Sequence, residues 1–357
     1  MRACFTRFIP LDKMTRDTRP IDIAYFYRHP APGFFSIERV FDQIQATLSP
    51  RFKVRRFYCP WVSRGFLRRV WNALCVTGAQ GTINHVTGDT HYLAICLVGR
   101  RTVLTIHDCV MMRRLKGLPR RIYYFFWVWW PIKRAAVVTV VSKSIADELN
   151  NYVSGCTEKI KIIPNAVSPE FTYSPKAFRT ESPRVLFLGT SENKNLERSA
   201  KALQGLNCDL VVVGCLTSDQ KDQLGQLGIR WEQFQGLRSD QLIEQYVASD
   251  LVLFPSLYEG FGLPVVEAQA VGRAVVTSKL EPMIEVSGGA ACLVDPYSIE
   301  SIRSGVLKVI EDHAYRNSLI NQGCVNVQRY SLIKIVRDYE RLYDQMITRS
   351  GPGMSPC

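Results

Sequence analysis

The sequence predicts an α/β protein with two doubly wound, parallel-sheet domains that face one another across a central cleft. Short apolar and β-branched runs alternate with helical patterns along the whole chain, which is typical of βα units. The length of 357 residues favours two domains. A Pro-rich and polar interruption over residues 163–183 lies near the middle of the chain and marks the boundary between them.

The expected elements follow in chain order. Strands are predicted at 21–26, 102–106, 137–141, 184–189, 210–214, 251–255 and 274–277. We expect an N-terminal domain over residues 1–170, of which 1–20 form an irregular extension, and a C-terminal domain over 171–330. Residues 331–357 should form a helix that crosses back to the first domain, followed by a flexible tail. Ligands should bind at the carboxyl ends of both sheets, where helix N-termini offer free N–H groups to an anion.

The composition indicates a folded protein with an anionic partner. Hydrophobic residues make up 46% and charged residues 22%, which excludes disordered, collagen-like and coiled-coil proteins. The 45 Lys and Arg against 32 Asp and Glu leave a net charge of +13, which favours lipid head groups, phosphates or nucleic acid as partners. No nucleic-acid-binding motif is recognisable, so we expect no nucleic acid among the partners.

The cysteines and the N-terminus predict a cytoplasmic location. The 11 cysteines are scattered and include no C-x-x-C pair, which supports neither a zinc ribbon nor a secreted disulfide framework. The N-terminal residues lack the apolar core of a secretory signal, and no apolar stretch reaches the ~20 residues of a membrane-spanning helix.

One basic and aromatic segment interrupts the βα pattern. Residues 122–131 read Ile-Tyr-Tyr-Phe-Phe-Trp-Val-Trp-Trp-Pro and are flanked by basic residues over 113–121 and 132–134. Trp and Tyr favour the head-group region, and Arg and Lys bind lipid phosphates, so the segment predicts a helix in the plane of an anionic membrane surface. The protein would then be peripheral on the inner face of the cell membrane. A buried aromatic helix is the alternative, and the basic stretch from Arg51 to Trp71 favours the membrane.

The densest chemical pattern lies in residues 254–272. Two carboxylates, Glu259 and Glu267, stand eight positions apart, and a strand ends at Phe254. Gly260 and Gly262 permit close backbone approach, and a proline at position 264 suits the first turn of a helix. The loop could cradle a diphosphate, and Glu267 could accept hydrogen bonds from sugar hydroxyls. Each feature alone also fits a tight turn or a carboxylate that complements a helix dipole.

Together these residues resemble the E-x7-E signature of retaining glycosyltransferases of family four, which have the GT-B fold of two Rossmann-like domains. The segment 162–167, Ile-Ile-Pro-Asn-Ala-Val, is similar to the interdomain segment of that family. Residues 185–195 resemble its diphosphate-binding strand and loop, and residues 281–296 its closing region. The resemblance implies that the C-terminal domain binds a nucleotide diphosphate sugar and that the N-terminal domain binds the acceptor.

The resemblance also implies roles for single residues of the C-terminal domain. Glu267 would bind the nucleotide ribose, Lys194 would neutralise the leaving diphosphate, and Glu259 would face the transferred sugar. The family often carries an arginine just after the strand glycine, where this chain has Thr190, so the charge of the leaving group would rest more heavily on Lys194 and on backbone donors. The other expected donor contacts are Gly33, Gly189, Thr190, Gly260, Phe261, Gly262 and Leu263.

In the first half, His107 and Asp108 directly follow a strand and should lie at the ligand-binding edge of the sheet. The histidine resembles the strand-end histidine with which the family contacts the donor sugar, although a lone histidine is often structural. We predict His107, Asp108, Lys194 and Glu259 as the catalytic residues. Residues 85–91, His-Val-Thr-Gly-Asp-Thr-His, could line the acceptor pocket.

The sequence contains no D-x-D motif and no His/Cys pair with zinc-ligand spacing, so we expect no metal and no cofactor besides the nucleotide diphosphate sugar. We therefore expect a retaining, metal-independent hexosyltransferase that extends a lipid-linked glycan in cell-surface polysaccharide synthesis. A GT-B nucleotide-sugar epimerase and a catalytically silent nucleotide-sugar-binding protein remain as alternatives.

Overall fold

The computed structural model describes residues 20–30 and 36–350. Within these residues it contains two α/β domains, each built on a sheet of six parallel strands. The predicted class, two doubly wound parallel-sheet domains, is confirmed. Gly33, which was expected to approach the donor phosphate, lies outside the described residues.

The N-terminal sheet has the strand order β2-β1-β3-β4-β5-β6. Its strands are β1 (Ile21–Tyr27), β2 (Phe52–Tyr58), β3 (Ile83–Val86), β4 (Thr102–Ile106), β5 (Val137–Val140) and β6 (Ile160–Ile162). Its helices are α1 (Ser36–Thr47), α2 (Phe66–Cys75), α3 (Val110–Arg114), α4 (Gly117–Tyr123), α5 (Trp130–Arg134) and α6 (Lys143–Tyr152). The chain reverses its direction across the sheet between β1 and β3, which places a ligand crevice there.

The C-terminal sheet has the strand order β12-β11-β10-β7-β8-β9. Its strands are β7 (Arg184–Leu188), β8 (Asp209–Val213), β9 (Arg230–Phe234), β10 (Leu251–Phe254), β11 (Ala274–Ser278) and β12 (Cys292–Val294). Its helices are α7 (Leu196–Leu203), α8 (Ser218–Gln226), α9 (Ser239–Ala248), α10 (Leu263–Ala270), α11 (Met283–Ser287), α12 (Ile299–Glu311) and α13 (His313–Asn326). The strand order reverses between β7 and β10, so the loops that follow these two strands meet at one crevice.

The last helix, α14 (Leu332–Ser350), packs on the N-terminal domain. The buried Tyr343 hydroxyl lies 2.9 Å from the Tyr25 hydroxyl and 2.8 Å from His85 Nδ1. Tyr339 packs against Phe41 and His85 at the same place. These contacts fasten the end of the chain to the first domain through a buried polar network.

Two histidines that could have lined an acceptor pocket lie in the protein interior instead. His85 is fully buried between Tyr343 and Thr105, and burial lowers its pKa to about 3, so the ring stays neutral. The His91 ring lies with Nδ1 3.0 Å from the Trp127 carbonyl. The prediction for these two side chains was wrong because buried strand and turn residues can also be polar when their partners are buried with them.

The aromatic segment is helical and divided between core and surface. Residues 117–134 form a continuous helical stretch in which Tyr124–Trp129 is π-helical and joins α4 to α5. One face packs into the core through Trp127 and Val128. The other face exposes 36–41% of each of its large aromatic side chains, Phe125, Phe126, Trp129 and Trp130. Among the described residues, no helix is both long and apolar enough to span a bilayer.

The basic stretch from Arg51 to Trp71 also divides. Its first part consists of Arg51 and the edge strand β2. Arg51, Arg55 and Arg56 form ion pairs with Asp344, Asp22 and Asp42. These arginines are therefore engaged within the protein. The second part leads into α2, an amphipathic helix whose exposed apolar side chains include Phe66, Leu67, Trp71 and Leu74.

Candidate active site

A cavity of about 370 Å³ lies between the domains, at the carboxyl ends of both sheets. The N-terminal domain lines it with residues of α1 and with His107 and Asp108, which follow β4. The C-terminal domain lines it with Lys194, which follows β7, and with the loop from Glu259 to Pro264, which follows β10. Sequence-distant residues thus converge because β7 and β10 are neighbours in the sheet.

Lys194 and Glu259 form an ion pair inside this cavity. Lys194 Nζ lies 2.6 Å from Glu259 Oε1, and both side chains are largely buried. Asn193 Nδ2 donates to the same oxygen at 3.3 Å, and the Phe254 ring lies 4.9 Å below the ammonium group. A diphosphate that binds Lys194 would therefore replace Glu259 as the anionic partner of this lysine, within a partly desolvated site.

Glu267 lies one turn into α10, where the Tyr246 hydroxyl donates to its Oε2 at 2.6 Å. Burial raises the pKa of Glu267 above its ordinary value, while Tyr246 and the positive charge of Arg39 act in the opposite direction. The carboxylate is thus held in place by one donor and keeps further acceptor capacity for a ligand.

The loop between the two glutamates brings the domains into contact. Gly260 packs so closely on the backbone of His107 that a Cβ at this position would collide with the carbonyl group. The Ser142 hydroxyl donates to the Gly260 carbonyl at 2.8 Å. Gly262 has a φ of +101°, a conformation that favours glycine, and directly precedes α10. Within the described ranges, nothing accepts a hydrogen bond from the N–H groups of Phe261 and Gly262, two residues that line the cavity.

His107 and Asp108 reach the cavity from the opposite side. His107 Nε2 lies 2.8 Å from the Thr87 carbonyl, and burial lowers the pKa of the ring. A carbonyl only accepts, so Nε2 carries the proton of the neutral ring and Nδ1 is left as an acceptor. Asp108 is exposed, and its Oδ1 accepts from the N–H of Val110 at 2.9 Å.

Two of the expected donor contacts do not line the cavity. Gly189 has a φ of +84° and lies under the aliphatic stem of Lys194, where a Cβ would come within 3.0 Å of that stem. The Thr190 hydroxyl donates to the Cys215 carbonyl at 2.7 Å, and the Thr190 carbonyl accepts from Gln220. Gly189 therefore shapes the position of the lysine, and Thr190 is committed to neighbouring loops.

Sequence reasoning missed three residues of the site. Arg39 lines the cavity from α1, and Tyr246 holds Glu267. Tyr258 bridges the domains, because its hydroxyl accepts from the N–H of Cys109 at 2.8 Å. Tyr258 directly precedes Glu259 and could have been noticed in the sequence. Arg39 and Tyr246 are recognised only from the tertiary structure.

In the part of the chain that the structure describes, no group of three or more His, Cys, Asp or Glu side chains is arranged to hold a metal ion. The cations of the site are side chains, namely Lys194 and Arg39.

Two family models match consecutive parts of the chain. The model for glycosyltransferase family 4 matches residues 25–171, and the model for glycosyl transferases group 1 matches residues 171–324. Together they cover both domains and every described residue of the cavity.

The similar curated proteins include several glycosyltransferases. An uncharacterized glycosyltransferase of Methanocaldococcus jannaschii is 29% identical over 232 residues, 58% of this chain and 59% of that protein. The serotype-specific mannosyltransferase WbdA of Escherichia coli is 28% identical over 65% of this chain and 32% of its own length. The O-antigen chain mannosyltransferase B of Escherichia coli is 30% identical over 41% and 42%. The chain thus spans between about a third and three fifths of the lengths of these relatives.

The solved structures with the same fold match nearly the whole chain. Anabaena HepE in complex with UDP and glucose has a TM-score of 0.74 at 17% identity, over 91% of this chain and all of that one. WaaG, described as a glycosyltransferase involved in lipopolysaccharide biosynthesis, has a TM-score of 0.67 at 18% identity, over 91% and 99%. These likenesses show the fold.

Proposed function

Because the chain belongs to the glycosyltransferases of family-four type with the GT-B fold, we propose that it transfers a sugar from a nucleotide diphosphate sugar to a glycan acceptor. The observation that carries this proposal is the interdomain cavity in which Lys194, Glu259 and Glu267 converge. The UDP and glucose bound to Anabaena HepE, which has the same fold, support a nucleotide sugar as the donor.

The donor would bind mainly to the C-terminal domain. Glu267 accepts hydrogen bonds from the ribose hydroxyls, since Tyr246 fixes its position and leaves acceptor sites open. The diphosphate lies against Lys194 and the free N–H groups of Phe261 and Gly262. The sugar faces Glu259, Asp108 and the acceptor nitrogen of His107.

The transfer would retain the anomeric configuration by front-face displacement. The bond between the anomeric carbon and the diphosphate oxygen breaks, and Lys194 with the loop N–H groups stabilises the negative charge that develops on the leaving group. The acceptor hydroxyl attacks from the same face, and the leaving phosphate oxygen takes its proton. This route needs no nucleophile from the protein.

Mannose and a lipid-linked glycan are the first donor sugar and acceptor to test. WbdA and the O-antigen chain mannosyltransferase B are both named mannosyltransferases, and the second name refers to O-antigen chains. Together they favour a role in cell-surface polysaccharide synthesis for this chain.

A membrane contact would bring such an acceptor to the cleft. The candidate membrane face consists of the exposed apolar side chains of α2 and of the helical stretch 117–134, both of which pack on the turn His91–Ile95. Basic residues accompany both helices, among them Arg64, Arg68, Arg114 and Arg121. We infer that the protein binds anionic membranes peripherally, since exposed aromatics combined with arginines suit the head-group region.

A binding and turnover experiment tests the proposed function. Nucleoside diphosphates and nucleotide sugars are screened by thermal shift, where a ligand at 100 times its Kd adds about 2.7 kcal/mol of stability. The stabilising donor is then incubated with and without glycan acceptors, and the products are identified by mass spectrometry and NMR. A new α-glycosidic product from an α-linked donor supports retaining transfer. Conversion of the donor without acceptor would indicate an epimerase, and binding without turnover would indicate a silent binding protein.

The same assay tests metal independence. Lys194 and backbone donors are proposed to neutralise the diphosphate, so EDTA should leave the rate within about a factor of two. A loss of about ten-fold or more, which corresponds to about 1.4 kcal/mol, would contradict the proposal.

A further inference from the structure

The C-terminal domain offers little positive charge to a leaving diphosphate. Thr190, which follows the strand glycine, carries no charge, and its hydroxyl is committed to the Cys215 carbonyl outside the cavity. The C-terminal domain thus supplies one cationic side chain to the cavity lining, Lys194, and that lysine is already paired with Glu259. Two phosphates would meet little net positive charge from this domain alone.

The N-terminal domain supplies a second cation. Arg39 lies on α1 and lines the same cavity from the opposite side. Its charge is close enough to Glu267 and Tyr246 of the C-terminal domain to affect the pKa of both groups. The guanidinium therefore faces across the cleft, towards the residues proposed to bind the donor.

Arg39 has no ion-pair or hydrogen-bond partner among the residues that the structure describes. The two acidic residues of its own helix are taken by other arginines, because Glu38 pairs with Arg28 at 2.7 Å and Asp42 with Arg56 at 3.0 Å. Glu267 is near, yet burial still raises its pKa, as expected if no salt bridge holds its charge. A partly buried arginine without a partner lowers the stability of the folded protein unless a ligand supplies hydrogen-bond acceptors and negative charge.

We propose that Arg39 binds the donor diphosphate and so provides, from the opposite domain, the positive charge that is missing at Thr190. The inference rests on the proposed function and adds a residue to its binding site. A guanidinium suits this task because it can donate two parallel hydrogen bonds to phosphate oxygens. Since Lys194 and Arg39 belong to different domains, the diphosphate would bridge them and hold the cleft closed.

The test compares ligands that differ only in the diphosphate. Calorimetry measures the affinity for UDP or GDP, whichever stabilises the wild-type chain. Displacement titration measures the affinity for the corresponding nucleoside. Arg39→Ala should weaken the affinity for the nucleoside diphosphate at least ten-fold and leave the affinity for the nucleoside within about three-fold of wild type. The affinity of Arg39→Lys for the diphosphate should lie between those of wild type and Arg39→Ala. Arg55→Ala is the matched control, since this arginine of the same domain is 55% exposed and lies outside the cavity. It should bind like the wild type.

Three results would overturn the inference. Unchanged diphosphate binding by a folded Arg39→Ala variant removes the contact. An equal loss of affinity for the nucleoside and for the nucleoside diphosphate assigns Arg39 to the ribose or the base instead. If the Arg39→Ala variant does not fold, the same comparison is made with Arg39→Gln. A wild-type chain that binds no nucleoside diphosphate defeats the proposed function itself, and the inference with it. That outcome differs from the first two, in which the wild type binds.

Discussion

Glu259 and Glu267 carry the same side chain, but the fold gives them different partners. Glu259 faces a lysine at 2.6 Å, so its charge is compensated within the protein. Glu267 faces a tyrosine hydroxyl in a buried position, and burial raises its pKa. Glu259 can release its lysine to a diphosphate, whereas Glu267 is placed to accept hydrogen bonds from neutral hydroxyl groups.

The raised pKa of Glu267 predicts a pH dependence of donor binding. A carboxyl group whose pKa lies above its ordinary 4.5 takes up its proton at a higher pH than a free glutamate, and the protonated form is a poorer acceptor for ribose. Nucleoside affinity should therefore fall as the pH is lowered through this pKa. Glu267→Gln should weaken binding by about 1–3 kcal/mol near neutral pH and abolish the pH dependence in calorimetric titrations.

Tyr246→Phe is the control for this assignment. The variant removes the hydrogen bond that favours the charged carboxylate, so the pKa of Glu267 rises further and the loss of affinity on acidification begins at a higher pH. A glutamine variant that binds nucleoside like the wild type at every pH would remove Glu267 from the ribose site.

Lys194 should matter more for turnover than for nucleoside binding. The charge on the diphosphate grows as the glycosidic bond breaks, so Lys194→Ala is expected to lower kcat about 100-fold to 1,000-fold, by analogy with the loss of a charge-stabilising donor in other enzymes. Steady-state kinetics with the donor identified above measures the effect. Lys201→Ala is the matched control, because Lys201 is an exposed lysine of α7 that pairs with Glu197.

A second variant separates the two consequences of removing this lysine. Lys194→Ala also leaves Glu259 without its cation, and Lys194→Ala combined with Glu259→Gln removes that unpaired charge. If the double variant regains wild-type turnover, the lysine serves only to balance Glu259 and the proposed role at the leaving group is wrong.

At the level of elements, the sequence predicts seven of the twelve strands; the five that it misses are the edge strands β2, β6, β9 and β12 and the short interior strand β3. The seven predicted strands all form, because each is a run of apolar residues buried on both faces of a parallel sheet. The edge strands β2 and β9 were not assigned, since one reads Phe-Lys-Val-Arg-Arg-Phe-Tyr and the other Arg-Trp-Glu-Gln-Phe. Charged residues on an edge strand prevent pairing with other chains, and they also hide the strand from a hydrophobic pattern.

The helices of the N-terminal domain show the same division between pattern and packing. The aromatic stretch 122–131 could be read as core or as membrane surface, and the structure assigns one face to each environment. Which aromatics are buried depends on the π-helical turn Tyr124–Trp129, which shifts side chains around the helix and carries no sequence signature.

The candidate membrane face predicts binding to anionic liposomes. Wild-type protein should sediment with vesicles that contain phosphatidylglycerol, less with neutral vesicles, and be released as the salt concentration rises. Replacing Phe66, Leu67 and Trp71 of α2 by serine should lower this binding without unfolding the protein, because these side chains are 75%, 80% and 56% exposed. Trp129→Ser together with Trp130→Ser tests the second helix.

The controls for this experiment use the same chain. Val325 and Ile333 are exposed apolar residues outside the face, and their replacement by serine should leave liposome binding unchanged. Trp127 is left intact, because it stacks on Tyr123 and lies under Arg69 within the domain. Full liposome binding by a folded variant that lacks the aromatics of both helices would contradict a membrane contact at this face.

At the scale of the whole molecule, the site depends on contacts that no local pattern reveals. The E-x7-E loop, Lys194 and His107 were identifiable because each lies in or beside a short motif at a strand end. Arg39 and Tyr246 were not, since each lies within an ordinary helix; Arg39 faces the cavity from the opposite domain, and Tyr246 lies buried behind Glu267. The hydrogen bond from Thr190 to the Cys215 carbonyl, which joins the loops after β7 and β8, is likewise not apparent from a local pattern.

Hydrogen bonds between side chains and backbone groups join the two domains, and two of them involve the loop 258–260. The Tyr258 hydroxyl accepts from the N–H of Cys109, and the Ser142 hydroxyl donates to the Gly260 carbonyl. Glu285 accepts from the N–H of Lys143 at the start of α6. These contacts set the distance across the cleft, so they also set how His107 faces the donor side.

Gly260→Ala should therefore lower activity by moving the domains apart. The added methyl group would meet the His107 carbonyl and the side chain of Asp108, and neither can move without displacing the end of β4. A displacement of about 1 Å between positioned groups can cost on the order of 100-fold in rate, so we expect kcat to fall by at least about ten-fold. Each domain keeps its own core, and the melting temperature should change little. Small-angle X-ray scattering should show a larger radius of gyration than that of the wild type.

Gly225→Ala in α8 is the matched control, because a Cβ there meets nothing within 4 Å. A Gly260→Ala protein with wild-type kcat and wild-type scattering would show that this close approach does not set the geometry of the cleft.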